Sequence, residues 1–372
     1  MKVALIHDHL AQDGGAERVL KVLAEMFPQA PIFTLLCDEK NAVKYYQGRQ
    51  IETSIIQKLP FSVSHYQWYM PFMPMAVEFF DLSGYDLVIS DTSSFAKGVI
   101  TSTHTLHLCY CHTPTRYLWS DTHQYINELK YNKYFKKIIS LALNYIRMWD
   151  KQAADRVDGY MANSRFVAGR IKKYYRRDSV VIYPPVEIEK FKISPDLDDY
   201  FLIGGRLAPY KRVDMVIAAC KKTGKKLKVF GNGIDLARLK KIAGSDKKIE
   251  FLGRVNDATK AELYSRCLAF INPQEEDFGI TAVEAMASGR PVIAFRSGGA
   301  LETVREGVTG VFFNEQTVDS LAQALRNFDS AKFDPEIIKQ HTEQFSVARF
   351  KKEIGEFINR EYENFKLHNA KY

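Results

Sequence analysis

The sequence predicts an α/β chain built of two doubly wound halves, and three observations lead there. Apolar runs of strand length (Val3 to Ile6, Pro31 to Cys37, Tyr85 to Ser90, Thr105 to Cys111, Leu227 to Phe230, Val292 to Phe295) alternate with stretches of helical spacing. The alternation pauses near residue 190, after Pro184-Pro185-Val186, and then restarts. At 372 residues the chain is long enough for two domains, each with its own core.

Composition narrows the class. A hydrophobic fraction of 46% and a charged fraction of 26% exclude a disordered chain. Lys and Arg outnumber Asp and Glu by 52 to 44, a net charge of +8 that suits anionic partners without choosing among them. The five cysteines are odd in number and sit mostly in apolar runs, which fits a reducing compartment. Cys109-x-Cys111 has no second ligand pair and reads as buried thiols, not zinc. Met1 leads straight into a strand with no signal-peptide pattern, and no stretch reaches about 18 uninterrupted apolar residues, so a cytosolic chain without a membrane span is expected.

Taken in order, the first strand is followed by Asp13-Gly14-Gly15, a tight turn, and by an amphipathic helix from Ala16 to Phe27. The glycines allow close approach to a phosphate or sugar, but the pattern is not G-x-G-x-x-G, which removes the main support for a nicotinamide cofactor. Residues 55–80 are strongly aromatic and interrupted by Pro60, Pro71 and Pro74. Core packing is the preferred reading there, with an acceptor groove or a membrane-facing edge as the alternative. Two strands end on polar clusters, Asp91-Thr92-Ser93-Ser94 and His112-Thr113-Pro114-Thr115-Arg116, where α/β folds collect functional groups.

From Asp121 to Asp158 the pattern is helical, with Lys130, Lys133, Lys136, Lys137 and Arg147 beside Tyr131, Tyr134 and Phe135. An anionic membrane surface and a solvated helix face explain it equally well. Asn163-Ser164 can cap a helix from Arg165 to Tyr175, in a stretch whose Arg165, Arg170, Lys172, Lys173, Arg176 and Arg177 meet no acid and invite an external anion. Asp196-x-Asp198 reads as a linker acid pair, since it lacks the strand context of a metal site. Gly204-Gly205-Arg206-Leu207-Ala208-Pro209-Tyr210-Lys211 follows the first strand of the second half, where glycines admit a pyrophosphate and Arg206 and Lys211 supply charge. Residues 346–366 form a last amphipathic helix.

The most informative stretch is 269–295. An apolar strand, an acidic turn with Gly279 and a helix from Ile280 place helix N–H groups at the carboxyl end of a strand, a site for phosphorylated ligands. Glu276 sits in the turn and Glu284 about 7–8 Å further along the helix axis, at about 1.5 Å per residue. Glu276-x7-Glu284, with Phe278-Gly279 between and Ser288-Gly289-Arg290-Pro291-Val292-Ile293-Ala294 after, resembles the signature of the retaining glycosyltransferases of family 4.

That resemblance implies the GT-B architecture, two Rossmann-like domains facing across a cleft: an acceptor domain over residues 1–190, a nucleotide-sugar domain over 191–345, and a helix over 346–372 returning to the first. It implies that Arg206 and Lys211 clamp the donor diphosphate and that Glu284 accepts from the ribose hydroxyls. Glu276, with the backbone of Phe278, Gly279, Ile280 and Thr281, orients the donor sugar. Gly14, Gly15 and His112 close the pocket from the other domain, and Arg254 and Val255 border the base. Glu276, His112, Arg206 and Lys211 form the expected catalytic set. No cofactor or metal is expected, because the cations stabilise the leaving diphosphate.

Ile6-His7-Asp8-His9-Leu10, Gly14 to Leu20 and Cys109 to Trp119 are similar to bacterial O-antigen and exopolysaccharide mannosyltransferases. This favours GDP-mannose as donor, a lipid-linked saccharide as acceptor and a peripheral position on the inner face of the cytoplasmic membrane, with no nucleic-acid partner. A UDP-sugar is the alternative within the class. Outside it stand a sugar-nucleotide epimerase and a noncatalytic anionic-surface binding protein.

Overall fold

The computed structural model describes residues 1–11, 14–38, 45–129 and 131–369. Asp13 of the expected first turn and Lys130 of the basic stretch lie outside them. The chain divides into two units, 1–185 with 350–372, and 186–349.

In the first unit a parallel sheet runs in the order β3-β2-β1-β4-β5-β6-β7, with β1 Val3–Leu10, β2 Ile32–Cys37, β3 Ile51–Thr53, β4 Leu87–Thr92, β5 Leu106–Cys111, β6 Gly159–Ala162 and β7 Val180–Val181. β2, β4 and β5 are buried at every residue, as expected of parallel strands covered on both faces. Helix Gly15–Met26 turns Val19, Leu20 and Leu23 inward at helical spacing, and fully burying one such side chain contributes about 1.5–3 kcal/mol. Three boundaries differ from expectation. β3 is a short exposed edge strand without an apolar run, so its sequence carries no strand signal. Asp91 and Thr92 belong to β4 and do not follow it. The region after Asp121 is two helices, Thr122–Glu128 and Lys133–Asp155, the second opened by Asn132, whose Oδ1 accepts from the backbone N of Tyr134 and Phe135.

The second unit carries a parallel sheet in the order β10-β9-β8-β11-β12-β13: β8 Phe201–Gly204, β9 Leu227–Phe230, β10 Ile249–Gly253, β11 Ala269–Asn272, β12 Val292–Phe295 and β13 Gly310–Phe313. β13 was not foreseen. It pairs with β12 from Val292↔Gly310 to Phe295↔Phe313, so β12 does not complete the sheet. Its two middle residues, Val311 and Phe312, are only half-buried, and such a run, four residues long and without alternation, is hard to distinguish from a loop. Helix Val213–Thr223 packs Met215, Val216, Ala219 and Cys220 into this core, and Gly224 ends it at φ 69, a left-handed conformation that glycine adopts without a Cβ penalty.

Helix Val347–Asn369 gives its residues from Phe350 onward to the first unit. The rings of Phe350 and Tyr110 lie 5.7 Å apart, and Lys351 Nζ pairs with Glu25 at 2.8 Å.

Candidate functional site

In the second sheet the strand order reverses between β8 and β11, so the loops leaving these strands frame a crevice at their carboxyl ends, where open α/β sheets bind ligands. The loop after β8 brings Arg206, Lys211 and Arg212, and the loop after β11 brings Gln274, Glu275 and Glu276. The two meet directly: Lys211 Nζ donates to Glu276 Oε1, both side chains about one fifth exposed. Gln274 Nε2 donates to the same oxygen and, at 2.9 Å, to Asn272 Oδ1. Gly279, at φ 94, then opens helix Ile280–Ala287 without a side-chain cap, so the turn ends in the backbone geometry only glycine takes easily.

Glycines hold the neighbouring loops on this frame. A Cβ on Gly231 would lie 1.9 Å from Gly205 O, and Gly231 N donates to Gly253 O at 2.6 Å. The loops after β8, β9 and β10 are thereby joined, which ties exposed Arg254 and half-buried Val255 to the loop of Arg206. From the other side Gly299 N donates to Glu276 O at 2.8 Å, and a Cβ there would approach Phe278 Cα to 2.5 Å. Gly231, Gly298 and Gly299 escaped the sequence reading. The signal that could have found them is one already used for Gly204-Gly205, a glycine cluster directly after an apolar strand.

Glu284 sits in different surroundings from Glu276. Its side chain is 2% exposed, with Lys260 Nζ 3.1 Å from Oε1 and Tyr264 OH 3.2 Å from Oε2. Any hydroxyl reaching Glu284 would join this pair and would not find the carboxylate bare. Thr281 and Ile280 are half-buried in the first turn of the same helix, while Phe278 is buried against Phe345.

The first unit has a polar cluster at its own reversal, between β1 and β4. Asp91 on β4 is fully buried and takes His7 Nδ1 at 2.8 Å and His112 Nε2 at 2.6 Å. Burial disfavours the Asp91 charge, but His112 and His7 outweigh it and hold the carboxyl below its ordinary range. Burial likewise opposes charging of His7, and Asp91 overcomes it, raising His7 to about 9. His9 is half-buried with its Nδ1 enclosed and unpartnered, and that burial pushes it down to about 4. With Asp91 on Nε2, the nitrogen of His112 left for a ligand is Nδ1. Asp8 accepts from Ser93 N, Phe95 N and Ala96 N at 2.7–2.8 Å and so shapes the loop after β4. Below it, Lys97 and Asp150 form an ion pair at 2.5 Å, each 1% exposed, and Asp150 also accepts from Trp119 Nε1 at 2.7 Å.

Gly14 stands at the N-cap of the first helix in extended backbone, its N donating to Glu17 Oε2 at 2.9 Å, and Gly15 is the first helical residue. Neither glycine takes the left-handed conformation that glycine alone adopts easily. The sequence reading picked out His112 and missed its partner Asp91 and the His7 that shares that carboxylate, because they lie on strands far apart in the chain.

The basic stretch 165–177 is largely engaged within its own unit, which corrects its reading as a surface awaiting an anion. Arg170 is buried with NH2 2.8 Å from Ser120 Oγ, Lys172 pairs with Asp178 at 2.6 Å, and Arg177 donates to Val157 O at 2.6 Å. Asp178, one residue beyond the stretch, is the acid the count left out. Asp196 and Asp198 both face Arg266, Asp198 at 2.8 Å, as a linker pair should.

Residues 13–190 match the family model described as Glycosyltransferase Family 4, and residues 185–344 match that of Glycosyl transferases group 1. An uncharacterized glycosyltransferase of Methanocaldococcus jannaschii is 28% identical over 182 residues, 48% of this chain and 52% of that protein. The alpha-1,3/1,6-mannosyltransferase of Dictyostelium discoideum is 28% identical over 297 residues, 66% of this chain and 67% of its own length. Among solved structures, Anabaena HepE in complex with UDP superposes with a TM-score of 0.71 at 20% identity, covering 97% of this chain and 100% of that one.

Proposed function

This chain carries the two domains of a GT-B glycosyltransferase, and on that premise we propose that it transfers mannose from GDP-mannose to a lipid-linked saccharide in bacterial surface-polysaccharide synthesis, at the inner face of the cytoplasmic membrane. The observation that carries the transfer chemistry is the meeting of Lys211 and Glu276 on two loops at the reversal of the second sheet, with Arg206 on the same loop as Lys211.

The bond from the anomeric carbon to the diphosphate oxygen breaks as negative charge grows on the leaving group. Arg206, Lys211 and the N-terminus of helix Ile280–Ala287 stabilise that charge, at about 3–4 kcal/mol for the best donors. A diphosphate entering the crevice shares Lys211 with Glu276, whose carboxylate then accepts from a sugar hydroxyl. Glu284, already shaped by Lys260 and Tyr264, takes the ribose hydroxyls, and Arg254 and Val255 border the base. In a same-face attack the acceptor oxygen bonds to the anomeric carbon and its proton passes to the departing phosphate. His112, oriented by Asp91, leaves Nδ1 for a ligand hydroxyl at the carboxyl end of the first sheet. The cations do here what a divalent metal does elsewhere, so the reaction proceeds without one.

Mannose rests on the residue likeness of the first unit to mannosyltransferases and on the Dictyostelium relative. A UDP-sugar is the second reading, with UDP-glucose the compound bound in a further Anabaena HepE structure. Calorimetric titration of GDP-mannose and UDP-glucose in EDTA, with Arg206→Ala alongside, tests both. Metal-free GDP-mannose binding that the variant loses supports the proposal. Selective UDP-glucose binding moves the donor and keeps the chemistry, while binding of neither, with or without added metal, overturns it.

A further inference from the structure

Helix Lys133–Asp155 has two apolar faces. One, through Leu143, Ile146, Trp149 and Ala153, is buried in the core of the first unit. The other, through Tyr134, Ile138, Leu141, Tyr145 and Met148, is exposed, with Leu141 72% accessible. At about 100° per residue these five side chains fall within a stripe about 80° wide that runs about 21 Å along the axis. The neighbouring segment Tyr66–Phe72, packed against this helix, and the short helix Met73–Glu78 after it expose Trp68, Phe72 and Met75. The aromatic stretch 55–80 therefore fills the core with one set of residues and leaves a second set outside.

Charge identifies what covers this face. Tyr131 to Trp149 contains Lys133, Lys136, Lys137 and Arg147 and no acid, and Ser54 to Val77 contains none either. Lys136 and Arg147 turn away to Asn127 O and Leu118 O, while Lys133 and Lys137 border the stripe, so a second copy seated on it would set these two lysines against their counterparts with no carboxylate from either segment to pair them. Tyr and Trp flanking an aliphatic stripe suit a membrane interface. No helix among the described residues is long and apolar enough to cross a bilayer, so the helix would lie along the surface.

We propose that the face formed by the exposed stripe of helix Lys133–Asp155 and the adjoining Trp68, Phe72 and Met75 docks on an anionic lipid surface, with the stripe among the headgroups and Lys133 and Lys137 on lipid phosphates. This deepens the lipid-linked acceptor reading and rests on it only for its biological purpose.

The test is flotation of the full chain with phosphatidylcholine vesicles, with and without phosphatidylglycerol, while Trp68 fluorescence is followed. Binding to the anionic vesicles with a blue shift that Trp68→Phe removes is expected. Lys133→Gln and Lys137→Gln should each weaken partitioning about fivefold, and Leu141→Asp should abolish it while leaving the melting temperature unchanged. Equal flotation with neutral and anionic vesicles, or no change in Leu141→Asp, overturns the proposal, as does a concentration-dependent dimer that Leu141→Asp dissociates in a chain that binds no vesicle. Flotation needs neither donor nor acceptor, so a chain that floats but in a separate assay with both transfers no sugar keeps this inference and loses the catalytic one.

Discussion

Asp91 and Glu276 are both carboxylates at the carboxyl end of a parallel sheet, beside the strand where its order reverses, yet they are held differently. Asp91 is 0% exposed and each of its oxygens faces an imidazole. Glu276 is partly open to solvent, with Lys211 and Gln274 both on Oε1. A buried carboxylate with rigid partners fixes one ring in one orientation. A partly solvated one can exchange a partner when an anionic ligand arrives, and Lys211 is the partner a diphosphate would share. The first cluster holds its rings in place, and the second keeps a partner that can be exchanged.

The largest expected effect tests how rigid the first cluster's support is. Asp150→Ala leaves the Lys97 ammonium buried without its carboxylate, and a urea titration should show a loss of about 3–5 kcal/mol. A loss below about 1 kcal/mol would mean that water or another group reaches Lys97 and that the cluster is softer than described. Next comes the binding side. Arg206→Ala should lower the transfer rate about 10²–10³-fold, equal to about 3–4 kcal/mol, with little change in melting temperature. A variant with wild-type turnover would move the diphosphate elsewhere.

The two sites should also part in their response to pH. His7, raised to about 9 in the folded state, contributes stability that is fully present below its unfolded value of about 6.5 and is lost as pH rises through 9. His9, depressed to about 4, contributes stability present above about 6.5 and lost as pH falls through 4. Asp91→Asn should therefore flatten the fall in urea midpoint between about pH 6.5 and 9, by up to a few kcal/mol, remove the Asp91 share of the loss in strong acid, and leave in place the fall between about pH 6.5 and 4 that His9 sets. An unchanged alkaline slope would separate His7 from Asp91. The smallest effect belongs to the surface: Lys172→Ala removes an exposed pair with Asp178 and should cost less than about 1 kcal/mol by the same titration.

The contrast also explains what the sequence disclosed. The loops that carry Arg206, Lys211, Glu276 and Gly279 were legible because each follows an apolar strand directly, and the structure brings Lys211 and Glu276 together. Strands buried on both faces announced the sheets in the same way. Asp91 and His7 could be seen as polar residues near strand ends, but their union with His112 depends on the strand order β1-β4-β5, which no local pattern contains. β13 and β3 were missed because short, half-exposed strands have little apolar periodicity. The engagement of Arg170 and Arg177 was hidden for a related reason: their partners lie on other elements of the fold.

The account turns on Lys211 reading the far end of a diphosphate at the reversal of the second sheet. Calorimetric affinities of a nucleoside diphosphate and its monophosphate, for the native chain and Lys211→Ala, test this most directly. The native chain should prefer the diphosphate by about tenfold or more, a difference of about 1.4 kcal/mol, and the variant should lose that preference while binding the monophosphate about as before. A preference that survives in the variant, or an equal loss for both nucleotides, would contradict it.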